Sequence, residues 1–262
     1  MPDATSDHIA RAFELRHCFT TFTRRSGGAR VSTMIDHAHD LASVRDATER
    51  LLTAVGKLDN ASVTHPSRLP GWSRGHVLAH LARNADALVN VLEGRPMYVS
   101  GEARDADIER DAPRGLDVQL ADLRESAARF QEAGDAPADW ARTVELRNGV
   151  TDSASRVPFR RWVEVELHHV DLGIGYELED LPADFTEREI DFLADRFAGH
   201  PDVPPTRLTD GTRAWRTGRD AEGGPEVTVT GSPADLLGWL AGRRTGAALA
   251  VDGGPLPALP PL

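Results

Sequence analysis

Residues 161–173 read RWVEVELHHVDLG, and the fold turns on whether they form a strand or a helix. Read with a period of two, Val163, Val165 and Leu167 face a core while Glu164, Glu166 and His168 face water, which describes a half-buried strand. Read with a period of 3.6, Glu164, His168 and Asp171 share one helical face, and Val163, Leu167 and Val170 share its neighbour.

The two readings differ chemically. On a helix, residues four apart have Cβ atoms about 5–6 Å apart. A carboxylate and an imidazole at that spacing can bind one zinc ion through bonds of about 2.0–2.2 Å. On a strand, Glu164 and His168 would stand about 13 Å apart and could not share an ion. A second stretch, GWSRGHVLAHLARN at 71–84, places His76 and His80 four apart on a predicted helix. A Glu–His pair facing a histidine would supply three nitrogen and oxygen ligands. That leaves a fourth position open, as in catalytic rather than structural zinc sites. An isolated histidine pair at this spacing is more often helix decoration than a site, so spacing alone leaves the matter open.

Outward from these stretches the pattern is helical. Leu41, Val44, Leu51, Leu52, Val55 and Leu58 recur at helical spacing over 35–58. Ser73 can cap a helix that starts at Arg74 and is stopped by Gly94 and Pro96. Residues 97–114 read as a polar connection, 115–133 as a third helix, and Pro158 opens a fourth element that ends near Gly173. Four such elements suit a helix bundle, whose core commonly hosts metal sites. The composition changes after 181. Thr186 and Glu189 in TERE carry a capping-box signature, and Gly199 would end that helix. LTDGTRAWRTG, PEVTVTGS and AALAVDG read as strands, and Ser232-Pro233 starts another helix through Leu240. The expected class is α+β, with a four-helix bundle over 34–182 and a smaller α+β domain over 183–262. The tail PLPALPPL reads as extended.

The strong helical pattern begins at Met34. Residues 1–33 are therefore expected to be a loose N-terminal extension or to precede the true start, since IARAFELRH is only weakly amphipathic. The one cysteine, Cys18, lies in that segment, which excludes an intrachain disulfide and a cysteine-rich zinc site. This cysteine usage suits a cytoplasmic protein whose thiol, if it does thiol chemistry, comes from outside the chain. A net charge of −11 argues against nucleic-acid binding, and no apolar run is long enough to span a membrane.

LPGWSRGHVLAHLARNADAL, RPMYVSGEARDADIE, WVEVELHHVDLG and LLGWLAGR, in this order and spacing, closely resemble the mycothiol-dependent maleylpyruvate isomerase family. The resemblance runs from about Met34 to the C-terminus. The GW…H…H pattern is shared with the wider DinB-like superfamily, whereas PMYVS-EAR and the Glu–His helix are more specific. The resemblance implies a DinB-like four-helix bundle with a C-terminal α+β domain, in which RWVEVELHHVDLG is a helix. It implies that the metal ligands are His80, Glu164 and His168, that the ion is Zn2+ or another divalent metal, and that His76 is supporting. By the same resemblance, Arg243 in LAGR is the catalytic arginine. The implied reaction converts maleylpyruvate to fumarylpyruvate in gentisate breakdown, with mycothiol as cofactor, by a monomeric enzyme acting on small molecules.

The reaction must relax a cis double bond so that it can rotate. Reversible thiolate addition does this by splitting one hard step into easier ones. Arg243 would hold a carboxylate or the developing enolate through its planar fork. Asp171 would orient a metal-bound histidine or solvate the helix end. His169, Trp72, His37 and His39 read as packing or polar residues, and Arg83 and Asn84 as a solvated face. A mycothiol S-transferase on the same fold, or a non-catalytic protein that binds a small ligand, are the competing functions.

Overall fold

Asp36 opens the first helix, α1 (His37–Val55), by accepting the amides of Ala38 and His39 at 3.2 and 3.1 Å. The computed structural model describes residues 36–136, 138–219 and 226–261. The expectations for residues 1–33 and for Cys18 and Met34 lie outside these. The described residues fall into two compact units that part between Tyr176 and Glu177.

The first unit is built on α1, α2 (Arg74–Leu92), α4 (Leu116–Asp135) and α5 (Val157–Asp171). Both α1 and α2 pack against both α4 and α5, which closes a four-helix bundle. Its core is the apolar stripe seen in the sequence. It is formed by Val44, Leu51 and Val55 of α1, Val77, Leu81 and Leu88 of α2, Leu123 and Phe130 of α4, and Trp162, Val165 and Val170 of α5, all nearly excluded from water. Burying each such side chain contributes about 1.5–3 kcal/mol, so this stripe dominates the unit's stability. The stretch 161–171 is thus helical, and Leu172 and Gly173 turn the chain after it. Gly94 and Gly173, just past the ends of α2 and α5, take φ of 77° and 63°, the left-handed conformation that ends helices at glycine.

Two features of this unit depart from the sequence reading. The stretch 97–114 is more than a polar connection, since it contains an 11-residue helix, α3 (Gly101–Asp111), capped by Ser100 and packed on α2. Its buried residues are Arg104, Ile108 and Asp111, so two of three are charged and hydrophobic periodicity is silent. Between α4 and α5 the chain also forms an antiparallel pair, β1 (Thr143–Glu145) and β2 (Thr151–Ser153), with Val144 opposite Asp152.

The second unit holds α6 (Ala183–Phe197), α7 (Pro233–Leu240) and a four-stranded sheet. Its strands are β3 (Thr206–Thr209), β4 (Ala214–Thr217), β5 (Val227–Thr230) and β6 (Ala250–Asp252), in the order β4-β3-β5-β6. The β3–β5 pairing is parallel and the other two are antiparallel. Phe185, Ile190, Leu193 and Phe197 form the buried face of α6, which packs on α7 and β4. Ser232 caps α7, with Pro233 at its first position. The TERE signature does not act as a capping box. α6 starts after Pro182, and Thr186 and Glu189 lie inside it, 5% and 2% exposed. Proline lacks an N–H, which is not needed at a helix start, so the chain enters the helix there. Among the described residues no helix is long and apolar enough to cross a membrane.

Candidate metal centre

The helices α2 and α5 run antiparallel. Arg74, at the start of α2, donates from Nε to Leu172 O at 3.0 Å and from Nη2 to Gly173 O at 3.1 Å, which caps the end of α5. Further along, Arg161 Nη1 of α5 donates to Leu81 O of α2 at 2.9 Å. The Arg68 amide donates to Asp171 O at 2.7 Å, which ties the chain entering α2 to the same helix end. These bonds fix the register of the two helices, and with it the approach of His80 to Glu164 and His168.

His80 Nε2 lies 3.0 Å from Glu164 Oε2, and His168 Nε2 lies 3.2 Å from the same oxygen. One ligand atom from each of the three residues falls within 4.8 Å of the others. Tetrahedral bonds of about 2.1 Å separate neighbouring ligands by about 3.4 Å, so three donors this close fit one small divalent ion. The imidazoles cross edge to face, centroids 4.7 Å apart, and are 3% and 2% exposed. Glu164 keeps 24% of its side chain exposed, which leaves the cluster an open side.

The charge states of His80 and Glu164 suit ligation. Burial pushes His80 down to about 4, so it is neutral at physiological pH. Burial works to raise Glu164, but the hydrogen bonds to His168 and His80 outweigh it and hold the carboxyl well below its ordinary value. For His168 burial works downward, and the bonds to Asp171 and Glu164 raise it overall. Asp171 Oδ2 takes the far side of that ring, 2.9 Å from Nδ1. Asp171 therefore orients His168 and leaves its Nε2 facing Glu164, where it could ligate an ion.

His76 does not join the cluster. Its Nδ1 turns to Ser73 at the start of α2, 2.7 Å from Oγ and 3.2 Å from the backbone N–H, so it completes a helix cap. Trp72 stands beside the cluster, its ring 5.6 Å from that of His80. His169 is buried and stacks on Tyr176 at 4.1 Å. His37, the first residue of α1, stacks on Trp140, and His39 meets the edge of Trp162. Arg83 is held by Asp86, Asp111 and Asp122. Asn84 is not solvated. It is 2% exposed and accepts Arg161 Nη1 at 2.8 Å, because its face of α2 turns to α5.

Two cations near the cluster were not anticipated. Arg104 of α3 brings Nη2 to 3.2 Å from His80 Nδ1. A guanidinium can only donate, so without an ion the facing Nδ1 accepts and Nε2 carries the proton of neutral His80; ligation through Nε2 would require that proton to move to Nδ1, against Arg104. Arg161 is 1% exposed and its Nε has no hydrogen-bond partner among the described residues, and burial lowers its pKa to about 10, which leaves it charged at neutral pH. Arg104 lies within the motif PMYVSGEAR, and Arg161 sits one turn before Glu164. Each position was visible in the sequence, while its direction was not. In the second unit, Arg243 follows α7, donating its amide to Gly238 O at 2.7 Å and Nη1 to Ala241 O at 2.8 Å.

Known proteins match this chain across both units. The family model for the mycothiol maleylpyruvate isomerase N-terminal domain matches residues 44–173, and that for the C-terminal domain of the same family matches 180–261. A crystal structure of the mycothiol-dependent maleylpyruvate isomerase is 28% identical, with a TM-score of 0.77 over 86% of this chain and 96% of that one. The structure of a histidine-to-alanine mutant of such an isomerase matches over the same shares at 27% identity, also with a TM-score of 0.77. No curated protein sequence matches the chain.

Proposed function

The chain belongs to the mycothiol-dependent maleylpyruvate isomerase family, and from this we propose that it isomerises maleylpyruvate to fumarylpyruvate with mycothiol as its thiol and a divalent metal, zinc in our reading, at the cluster. The observation that carries the proposal is the His80–Glu164–His168 cluster, three ligands with an open side, inside the domain that the family model matches. When bound, the ion would favour the thiolate of mycothiol, and that thiolate would add to and leave the conjugated carbon of the cis double bond.

The protein's own groups have separate tasks. His80, Glu164 and His168 would hold the ion, and the ionised Glu164 supplies its charge complement. Asp171 fixes the His168 ring through Nδ1 and so keeps Nε2 directed at the cluster. Trp72 packs beside the His80 ring and would help hold it in place. Arg243 would bind a carboxylate or stabilise the negative charge that develops on the substrate oxygen, which a planar fork of N–H donors does well. A gentisate-degrading role goes with the same substrate.

The test is isomerisation by purified, zinc-loaded protein with and without mycothiol. Turnover that requires mycothiol is expected. An absence of turnover with one ion bound per chain would reject the isomerase and point to thiol transfer to another electrophile.

A further inference from the structure

Within the helical unit, the β1–β2 hairpin and the segment between α2 and α3 line a cavity of ≈ 490 Å³. Its ionisable lining is Arg95, Arg142 and Arg147 with Tyr98, against the single acid Glu145. In a chain of net charge −11 this is a local reversal of sign. Arg95 is occupied by Glu93 and Asn90, and Arg142 by the carbonyls of Leu92 and Asp139. Arg147 differs. Its guanidinium has no hydrogen-bonding or ion-pairing partner among the described residues, and its Nε is buried. A buried cationic N–H without an acceptor is costly, so an acceptor belongs there.

The arginine is also held in place. The hairpin turn closes by the Leu146 amide donating to Val150 O at 2.7 Å, and Asn148 takes a left-handed φ of 61° inside it. Asparagine tolerates that conformation better than most residues. Across the cavity, Gly101 leaves room, since a Cβ there would meet only Arg147 Nη2, at 3.8 Å. Tyr98 links the cavity to the cluster. Arg104 Cζ lies 6.0 Å from the Tyr98 ring, and the same guanidinium reaches His80. Burial raises the Tyr98 pKa, so its hydroxyl keeps a proton to donate.

We propose that Arg147, with Tyr98 beside it, forms a carboxylate-binding subsite in this cavity that holds one carboxylate of the substrate. A planar fork of two N–H donors and a phenolic O–H match the two oxygens of a carboxylate. The volume falls within the range of small-molecule pockets. That the ligand is a substrate carboxylate rests on the isomerase reading, whose substrate is a dicarboxylate. The presence of an organic-anion site does not.

The experiment uses the full, zinc-loaded chain and compares wild type with Arg147→Ala, Arg147→Lys and Tyr98→Phe. Maleate and inorganic phosphate binding are measured by calorimetry, KM and kcat with maleylpyruvate, and zinc by metal analysis. Arg147→Ala is expected to weaken maleate binding and raise KM by about tenfold to a hundredfold, the range for charge-assisted bonds. kcat and zinc content should stay near wild type. Arg147→Lys should recover part of the loss, and Tyr98→Phe, which keeps the ring's packing, should show a smaller one. Unchanged maleate binding and KM in Arg147→Ala would overturn the subsite, as would a wild type that does not bind maleate. Phosphate bound as tightly and lost in parallel would overturn the carboxylate assignment. If wild type does not isomerise maleylpyruvate but Arg147→Ala still loses maleate, the reaction is wrong and the subsite stands.

Discussion

Glu164 sits between two imidazoles that their surroundings push in opposite directions, His80 down and His168 up. This gives the metal-free protein a pH dependence with a definite sign. His80 titrates near 6.5 in the unfolded chain but near 4 when buried, so between those values the unfolded state binds more protons. Stability must therefore fall as pH drops from 6.5 towards 4. His168, raised above 6.5, contributes fully below 6.5 and loses its contribution only as pH rises through its folded value, so it is constant in this window. Glu164, held well below 4.5, gives way only beneath it. Thermal melts of the metal-free protein should show the fall, and His80→Asn should flatten it; an equal slope in both proteins would refute the assignment. Arg104 leads to a second prediction. Its positive charge against His80 opposes a cation at the cluster, so Arg104→Gln should tighten zinc binding by at least about tenfold in competition with a chelator. Weaker binding would mean that Arg104 supports the site rather than opposes it. The convergence of His80, Glu164 and His168 was legible in part, because a helical period brings Glu164 and His168 to one face, while the choice of His80 over His76 came from the family resemblance and not from spacing. Arg104 and Arg161 were not, because nothing in local spacing says that a charged side chain turns inward.

At the scale of elements, the cluster depends on how closely α2 approaches its neighbours, and Gly75 shows how little room there is. A Cβ at Gly75 would lie 2.1 Å from Ala112 O and 2.8 Å from Val63 Cγ1. The nearer atom is backbone and cannot rotate away, so Gly75→Ala should destabilise by about 2 kcal/mol or more, read as a lower denaturant midpoint. A midpoint equal to wild type would mean that the segment after α3 shifts freely. The contact between α1 and α5 has its own buried charge. Glu166, fully excluded from water, accepts Arg50 Nη2 at 2.5 Å, Trp162 Nε1 at 3.0 Å and Tyr176 OH at 2.8 Å. Arg50→Ala would leave that carboxylate without its cation and should cost about 3 kcal/mol, whereas a double Arg50→Ala, Glu166→Gln variant should recover part of the loss. The long helices of the bundle could be read from the sequence because each buries an apolar stripe. α3 could not, because it buries Arg104 and Asp111, and the three-residue strands β1 and β2 are too short to show an alternation. The TERE motif misled for a related reason, since the signature is local while Thr186 and Glu189 belong to the buried face of α6.

At the scale of the whole molecule, two compact units each match one domain of a single family, and their tasks can be separated by experiment. All three residues of the candidate metal cluster lie in the helical unit, on α2 and α5. Arg243 lies in the other unit, after α7, with its backbone and side chain held by α7 and the turn beyond it. Ion retention should therefore be a property of the first unit alone, while turnover on the proposed reaction requires both. His168→Ala should lose zinc and activity together, because two ligands are too few to hold the ion against a chelator. Arg243→Ala should keep one zinc per chain and still lose about a hundredfold to a thousandfold in kcat, the usual cost of removing a donor from developing negative charge. The division of that loss decides what the arginine does. A fall in kcat with KM unchanged assigns it to charge that forms during the reaction, and a rise in KM alone assigns it to a carboxylate already present on the substrate. If Arg243→Ala instead loses zinc, the two units are coupled through the cluster and the separation of tasks is wrong.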